Sequence, residues 1–259
     1  PVKLNLFSQP ISFQYIVKSL REIKNNDIVH IHLPNVFALI AALFVNDKPI
    51  ILHWHSDILN NKFLYMFIKP LEKMILKKAS SIIISSYNYL NNSNSLSLFK
   101  SKTKVIPYGI EEPDKDIDNN LLREDYHPIF ENQYILSVGR LVKYKGYENL
   151  IMAMINVDAK LVIIGNGPEY RRLQDIILKY NLDDKIFILT NINNIKKKIF
   201  YKNASIFCLP SINKSESYGM SIVEAMSYGL PLVTTNLIDS GISWLNKHDT
   251  TGICVKPNN

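Results

Sequence analysis

Cysteine is scarce in this chain of 259 residues, and long apolar runs are missing from it. Its two cysteines, Cys208 and Cys254, lie in apolar stretches typical of strands, so we expect buried free thiols in a reducing compartment and no disulfide framework. The longest apolar run, Val36 to Val45, is too short to span a bilayer. With 47% apolar and 20% charged residues, the composition is that of a globular protein and excludes wholesale disorder.

Acidic residues are scarce in the first part of the chain. Residues 1–110 hold 13 Lys and Arg against 5 Asp and Glu, residues 111–131 hold 2 against 8, and residues 132–259 hold 15 against 10. A basic N-terminal part predicts an anionic partner, either a lipid surface or a phosphorylated substrate. Nucleic acid is the competing interpretation, but no nucleic-acid motif and no interleaving of aromatic and basic residues supports it. We therefore expect no nucleic-acid partner.

Apolar strand-like runs alternate with helix-like periods along the chain. This alternation predicts an α/β protein built on parallel sheets of Rossmann type. The predicted strands are residues 27–32, 49–54, 81–84, 104–106, 135–138, 160–164, 185–189, 205–209, 232–234 and 252–255. Among the predicted helices are a surface helix over 12–25, an apolar helix from residue 36, and a basic amphipathic helix over 63–78 that is interrupted near Pro70.

The acidic stretch over residues 111–131 predicts a linker between two lobes. Residues 1–110 then form an N-terminal lobe, and residues 132–259 form a C-terminal lobe. No internal repeat of solenoid length is present.

The most informative stretch is a strand, loop, helix and strand between Ser205 and Thr234. We expect the helix to carry Met220, Val223 and Ser227 on one face and to end at Gly229, with Pro231 before the next strand.

The start of this helix predicts a site for a phosphate-bearing ligand. Gly219, Met220 and Ser221 would present backbone N–H groups at the positive end of the helix dipole. Glu224, in the second turn, is suited to accept hydrogen bonds from a ribose diol, and Glu216 would lie beyond the phosphates, near a sugar. The alternative is a helix with one acidic residue for its dipole and one solvated glutamate.

Two cations follow the strand that opens the second lobe. Arg140 can bind a diphosphate bidentately, and Lys145 adds a mobile point charge; the alternative is a solvated basic loop. The turn from Gly165 to Pro168 is similar to a dinucleotide fingerprint, but Tyr170 stands where the third glycine is required. A NAD enzyme is therefore not expected.

Three ordered motifs carry a resemblance to a known family. The pattern Pro-Ser-x4-Glu-Ser-x-Gly-x4-Glu-Ala-Met-x-x-Gly-x-Pro over residues 210–231 closely resembles the donor-binding signature of retaining glycosyltransferases of family 4, which have the GT-B fold. The family's Gly-Arg-Leu…Lys-Gly element is matched over residues 139–146, and its Gly-x-Gly-Pro turn over residues 165–168. Together the motifs cover roughly residues 132–255, and weaker matches cover much of residues 27–110.

The resemblance implies two Rossmann-like lobes facing each other across a cleft, with an incomplete N-terminal acceptor-side lobe and a C-terminal donor lobe whose final helices are missing. It implies a retaining, metal-independent hexosyltransferase that uses a GDP- or UDP-linked sugar and needs no further cofactor. The implied acceptor is a glycan hydroxyl in the synthesis of bacterial O-antigen or capsule, and a polyprenyl-diphosphate-linked glycan is the candidate. Such an enzyme would be cytoplasmic, and the anionic inner face of the plasma membrane is a candidate surface for peripheral association.

The resemblance also implies roles for single residues. Arg140 and Lys145 would neutralise the leaving nucleoside diphosphate, and Glu216 would hold the sugar hydroxyls. His55, in Trp-His-Ser-Asp, resembles the active-site histidine of the N-terminal lobe, which reaches the sugar and acceptor side. Asp57 is a candidate to orient it.

Two further positions would line the nucleotide site by resemblance. Gly165 belongs to the turn beside the nucleotide, and Asn191 follows Thr190 in the segment that contacts the base. Thr190 stands where the family has glycine, so the identity of the base stays open.

The chain has two His-x-His pairs, at residues 30–32 and 53–55. Alternate strand positions face the same side, which suits zinc, but no Cys or carboxylate follows at ligand spacing, so we expect no metal and favour core or interface histidines. A glycosidase carboxylate pair is a rival hypothesis, but it would not need Arg140 or an anion-binding helix start. A nucleotide-sugar epimerase and a donor-binding module without transfer are two further hypotheses.

Overall fold

The computed structural model describes residues 4–6, 9–11, 13–57, 62–113, 117–118, 126, 129 and 133–258. The chain divides into two compact units, Pro1–Pro107 and Tyr108–Asn259. The predicted acidic linker lies largely outside the described residues, so its bounds stay a prediction.

The strands and helices are numbered in chain order. The strands are β1 (Leu4–Leu6), β2 (Gln9–Ile11), β3 (Val29–Leu33), β4 (Ile50–Trp54), β5 (Ser81–Ile84), β6 (Thr103–Val105), β7 (Tyr134–Val138), β8 (Lys160–Ile164), β9 (Ile186–Leu189), β10 (Ile206–Leu209), β11 (Leu232–Thr235) and β12 (Gly252–Val255). The α-helices are α1 (Phe13–Lys24), α2 (Val36–Leu43), α3 (Lys62–Lys78), α4 (Tyr87–Asn92), α5 (Tyr147–Ala153), α6 (Tyr170–Lys179), α7 (Asn194–Asn203), α8 (Met220–Ser227) and α9 (Ile242–Leu245).

The first unit is built on a sheet of four parallel strands in the order β3-β4-β5-β6. β1 and β2 form a separate antiparallel pair, for which the sequence pattern predicts no strand. Along β4, Ile50, Leu52 and Trp54 are buried, because alternate residues of a strand face the same side. The side chain of Asn35 accepts a hydrogen bond from the N–H of Ala38 and so defines the start of α2.

Helix α3 is continuous through Pro70, so the predicted interruption is wrong. Proline removes one intrahelical hydrogen bond, that of its N–H with the carbonyl of Met66. Both Pro70 and Met66 are exposed, so water can hydrate the released carbonyl while Ile68 and Ile75 keep the other face in the core. Of the helices in the described ranges, none has the combined length and apolarity needed to cross a membrane.

The second unit contains six parallel strands in the order β12-β11-β10-β7-β8-β9. Its strands read as nearly continuous apolar runs because helices cover both faces of the sheet. Leu136 and Phe207 contribute to the core on one face, and Leu161 and Ile163 to the core on the other. The strands β8 and β9 extend the sheet on one side of β7, and the next strand in the chain, β10, pairs with β7 on its other side. The two neighbouring strands β7 and β10 therefore mark the switch point of this sheet.

The face that α8 buries differs from the predicted one. Ser221, Ile222 and Ala225 are buried, whereas Met220 is 40% exposed. The predicted face was wrong because a short helix with apolar residues on several sides allows more than one buried stripe. The predicted end is confirmed: Gly229 has a φ of 73°, the left-handed conformation that glycine adopts without strain.

Candidate functional site

The loops that follow β7 and β10 lie side by side at the carboxyl edge of the second sheet. Open α/β sheets bind ligands in the crevice at such a switch point. The loop after β7 carries Arg140 and Lys145, and the loop after β10 carries Glu216. The N–H of Ile212 donates to the carbonyl of Tyr144 at 2.8 Å, so backbone hydrogen bonding joins the two loops directly.

Lys145 and Glu216 form a buried ion pair. The Lys145 Nζ lies 2.5 Å from Glu216 Oε2, and the two side chains are only 8% and 10% exposed. The hydroxyl of Ser211 donates to the same carboxylate oxygen at 3.0 Å. A charged donor and a charged acceptor are thus held together at the edge where a polar ligand would bind.

Arg140 is exposed in the same loop. Burial and the charge of Glu216 raise the pKa of the Tyr144 hydroxyl, while Arg140 acts in the opposite direction. The charges of Arg140 and Glu216 therefore both act on the Tyr144 hydroxyl.

Gly165 allows the loop after β8 to pack against the loop after β7. A Cβ atom on Gly165 would lie 1.9 Å from the carbonyl oxygen of Gly139, and one on Gly167 would lie 2.2 Å from that of Leu141. The Leu141 N–H donates to the Asn166 carbonyl at 2.9 Å. The glycines of this turn are thus required for close backbone approach. Whether Gly165 also contacts a nucleotide stays a prediction.

The start of α8 has the form that suits an anion. Gly219 has a φ of 91°, and no side chain caps the helix. The first turn of a helix leaves backbone N–H groups without an intrahelical partner. Ser221 is buried and Met220 is partly exposed at this end.

Glu224 is held by two side chains of α7 that the sequence pattern did not indicate. Lys197 Nζ lies 2.7 Å from Glu224 Oε1, and the Tyr201 hydroxyl donates to Glu224 Oε2 at 2.7 Å. Burial is the largest cause that raises the pKa of Tyr201, and Glu224 adds to it, so this hydroxyl stays a donor. The spacing of four residues between Lys197 and Tyr201 places them on one helix face, but it does not indicate which residue they contact.

Asn191 lies in the exposed loop after β9, with a φ of 57°. The Gly165 N–H donates to the carbonyl of Leu189 at 3.0 Å, so this loop begins beside the Gly165 turn. The same loop leads into α7, which carries the partners of Glu224.

His55 belongs to the first unit, where it directly follows β4. Its Nε2 and the Nδ1 of His32 are hydrogen-bonded at 2.8 Å. Asp57 accepts hydrogen bonds from Trp54 Nε1 at 3.0 Å and from Ser93 at 3.2 Å. These bonds anchor the backbone that carries His55.

Family comparison assigns both parts of the chain. Residues 3–112 match the family described as Glycosyltransferase Family 4, and residues 120–259 match Glycosyl transferases group 1.

Two curated bacterial relatives are similar over nearly the whole chain. The D-rhamnosyltransferase WbpZ of Pseudomonas aeruginosa is 29% identical over 244 residues, which are 93% of this chain and 64% of the relative. The O-antigen chain mannosyltransferase C of Escherichia coli is 28% identical over 255 residues, 97% of this chain and 67% of the relative. The chain thus spans about two thirds of the length of these relatives.

Among solved structures, Anabaena HepE in complex with UDP is similar, with a TM-score of 0.76 at 20% identity, over 94% of this chain and 68% of that one. At this identity the similarity shows the fold. The two parallel-sheet α/β units and their similarity to this structure show the GT-B fold. The two family matches show that the chain belongs to the family 4 and group 1 glycosyltransferases.

Proposed function

We propose that this chain carries out the transfer of a hexosyl group, with retention of anomeric configuration, from a nucleoside-diphosphate sugar to an acceptor hydroxyl. The observation that carries the proposal is the buried pair of Lys145 and Glu216 beside the start of α8. A diphosphate needs cations and backbone donors, and a sugar needs a fixed acceptor of hydrogen bonds. This sheet edge offers both in one place.

The proposed chemistry depends on stabilising the leaving group. As the glycosidic bond breaks, negative charge develops on the diphosphate, and Arg140, Lys145 and the N–H groups of α8 are proposed to stabilise that charge. These groups can supply the positive charge without a metal ion. Lys145 then exchanges Glu216 for a phosphate oxygen, and Glu216 becomes available to the sugar hydroxyls.

Glu224 is proposed to bind the ribose of the donor. The oxygens of its carboxylate have further lone pairs beside those used by Lys197 and Tyr201. A ribose diol could therefore add its hydrogen bonds to a carboxylate already fixed in place. Gly165 and Asn191 would line the same nucleotide. His55 would act from the first unit on the sugar and acceptor side.

The proposed acceptor is a lipid-linked glycan of bacterial O-antigen or capsule synthesis, and a polyprenyl-diphosphate carrier fits the basic first unit. Two relatives are named for rhamnosyl and O-antigen mannosyl transfer, which supports a hexosyl donor, and the fold neighbour solved with UDP supports a UDP-linked one; a GDP-linked donor is the alternative. Both nucleotides are therefore tested.

The test is a donor screen followed by product analysis. GDP- and UDP-linked hexoses are compared in thermal-shift titrations of the chain, and the stabilising donor is then incubated with a synthetic polyprenyl-diphosphate glycan. We expect an α-linked product from an α-linked donor, formed equally well in the presence of a chelator. Isomerised donor without acceptor would indicate an epimerase, and donor binding without any product would indicate a binding module.

We also propose that the exposed face of α3 associates with an anionic membrane. Met66 and Phe67 are 60% and 63% exposed, and Lys69 and Lys73 are exposed beside them. Lys78, by contrast, is engaged within the unit, since its Nζ donates to the carbonyl of Leu43 at 2.8 Å. The side chains of residues 62–64, part of the same prediction, lie outside the described ones.

Vesicle flotation tests this association. The parent chain should float with anionic liposomes at low salt and remain behind with neutral ones, because each basic residue near the surface contributes about 1 kcal/mol. The variant Lys69→Glu/Lys73→Glu should lose flotation. The matched control Lys100→Glu/Lys104→Glu changes the net charge equally at exposed positions of the same unit outside α3. Equal loss in both variants would contradict a role for this face.

A further inference from the structure

The two His-x-His pairs meet on one face of the first sheet. β3 and β4 are parallel neighbours, and their register places His32 directly beside His53. His30 lies two residues before His32, and His55 lies two residues after His53, so all four side chains share a face. His30 and His32 are exposed and His53 is half-buried, so of the two expected settings the core is excluded, and an interface stays a prediction.

The imidazole rings are close and nearly parallel. The ring centroids of His30 and His32 are 4.8 Å apart, those of His32 and His53 5.0 Å, and those of His30 and His53 5.7 Å. One ring nitrogen from each of these three residues can be chosen so that all three nitrogens lie within 4.8 Å of one another. Three histidines bound to one tetrahedral zinc ion place their nitrogens about 3.4 Å apart, given Zn–N bonds of 2.0–2.1 Å. The rings of the two exposed residues, His30 and His32, must also turn out of this stacked arrangement, so that one nitrogen of each ring points at a common ion.

A hydrogen bond already holds one of these rings. An imidazole that binds a metal through one nitrogen usually forms a hydrogen bond through the other. The Nδ1 of His32 is hydrogen-bonded to the Nε2 of His55 at 2.8 Å, so His32 has such a partner.

We propose that His30, His32 and His53 form a binding site for one divalent transition-metal ion of the zinc type. Imidazole nitrogens suit Zn²⁺, Ni²⁺ and Cu²⁺, whereas Mg²⁺ and Ca²⁺ require oxygen ligands. The ion has three protein ligands and completes its coordination with water. It lies one hydrogen bond from His55 and is not proposed to take part in the transfer of the sugar.

The site is tested by calorimetric titration with ZnCl₂. The sample is the 259-residue chain, purified without a histidine tag. We expect one saturable ion per chain and no heat from MgCl₂. His30→Ala should weaken Zn²⁺ binding by about 100-fold or more, since loss of a residue that only orients a ligand already costs about 10–100-fold. His53→Gln should have a similar effect. Because His30 is exposed, its variant should keep the circular dichroism spectrum of the parent.

The control removes the two histidines that lie outside the His-x-His pairs. His248 is exposed, and its Nδ1 accepts the backbone N–H of Cys254 at 3.0 Å, so it offers the rival position for an adventitious ion. The double variant His127→Ala/His248→Ala should bind Zn²⁺ as the parent does. Failure of the parent to bind Zn²⁺, unchanged binding by His30→Ala, or loss of binding in the control would each overturn the proposal.

Discussion

The buried pair of Lys145 and Glu216 makes a sharp prediction about stability. Lys145→Met and Glu216→Met each remove one charge and keep a flexible side chain of similar length. Each single variant leaves the other charge buried without its partner, because the two side chains are only 8% and 10% exposed.

The magnitude follows from burial. With side chains 8% and 10% exposed, breaking the pair should lower the free energy of unfolding of the second unit by about 3–5 kcal/mol in each single variant. In a domain of this size, that corresponds to a fall in Tm of roughly 6–20 °C. The double variant buries no charge, and apolar replacement of a buried pair is often neutral. It should therefore be far more stable than either single variant.

Urea unfolding of the three variants gives the coupling energy as a double-mutant cycle. Trp244 fluorescence in a Trp54→Phe background reports on the second unit, since the chain has two tryptophans. The pair of Arg172 and Glu148 is a matched control, with the same 2.5 Å separation but side chains 47% exposed, and Glu148→Met should have a much smaller effect.

The reasoning would be refuted if Lys145→Met and Glu216→Met cost no more than Glu148→Met. It would also be refuted if the double variant lost the sum of the two single losses. A stable double variant also separates folding from function, because it should remain folded and yet fail to bind or transfer the donor sugar.

Three other predictions follow from single side chains. Arg140→Ala should lower turnover at saturating donor by about 10²–10³-fold, because it removes a preorganised charge that stabilises the transition state. Arg140→Lys should recover only part of the lost turnover. A rise in the donor Michaelis constant alone would show that Arg140 contributes equally to binding of the ground state and the transition state. Glu224→Ala should weaken nucleoside-diphosphate binding, measured by calorimetry, by roughly 1.5–3 kcal/mol for each charged hydrogen bond lost, and Tyr201→Phe should weaken it less. If the parent chain binds ribonucleotides and 2′,3′-dideoxynucleotides with equal affinity, Glu224 does not bind the ribose. Burial raises the pKa of Glu72 above its ordinary value of 4.5, so the folded state holds this proton more tightly than the unfolded chain. Its contribution to stability is therefore full below about pH 4.5 and is lost as the pH rises through the folded pKa. In urea unfolding, Glu72→Gln should then gain stability relative to the parent as the pH rises above about 4.5, and a difference independent of pH would contradict this.

Strands and their order of appearance were predictable because their signal is local. Lys160–Ile164 and Gly252–Val255 have the bounds that the apolar runs predicted, and the other strands of the second unit differ by one residue. A strand buried on both faces needs consecutive apolar residues, and this requirement is visible in the chain itself. The helix start at Gly219 and the end at Gly229 were visible for the same reason, since glycine marks both positions.

Pro70 shows where local rules fail. The rule that proline interrupts a helix assumes that the freed carbonyl has no other partner. At Pro70 the helix surface is exposed, and the buried residues on the opposite face hold the helix together. Burial is a property of the folded chain, so the sequence could not decide this case.

The partners inside the candidate site depend on which strands become neighbours. Lys145 contacts Glu216 because β10 pairs with one edge of β7, while β8 pairs with the other edge of β7. His32 meets His53 because β3 and β4 pair in one register. Residue types and spacing predict which side chains are chemically able to act. Sheet order and register, which arise from contacts between residues distant in the chain, decide which of them touch.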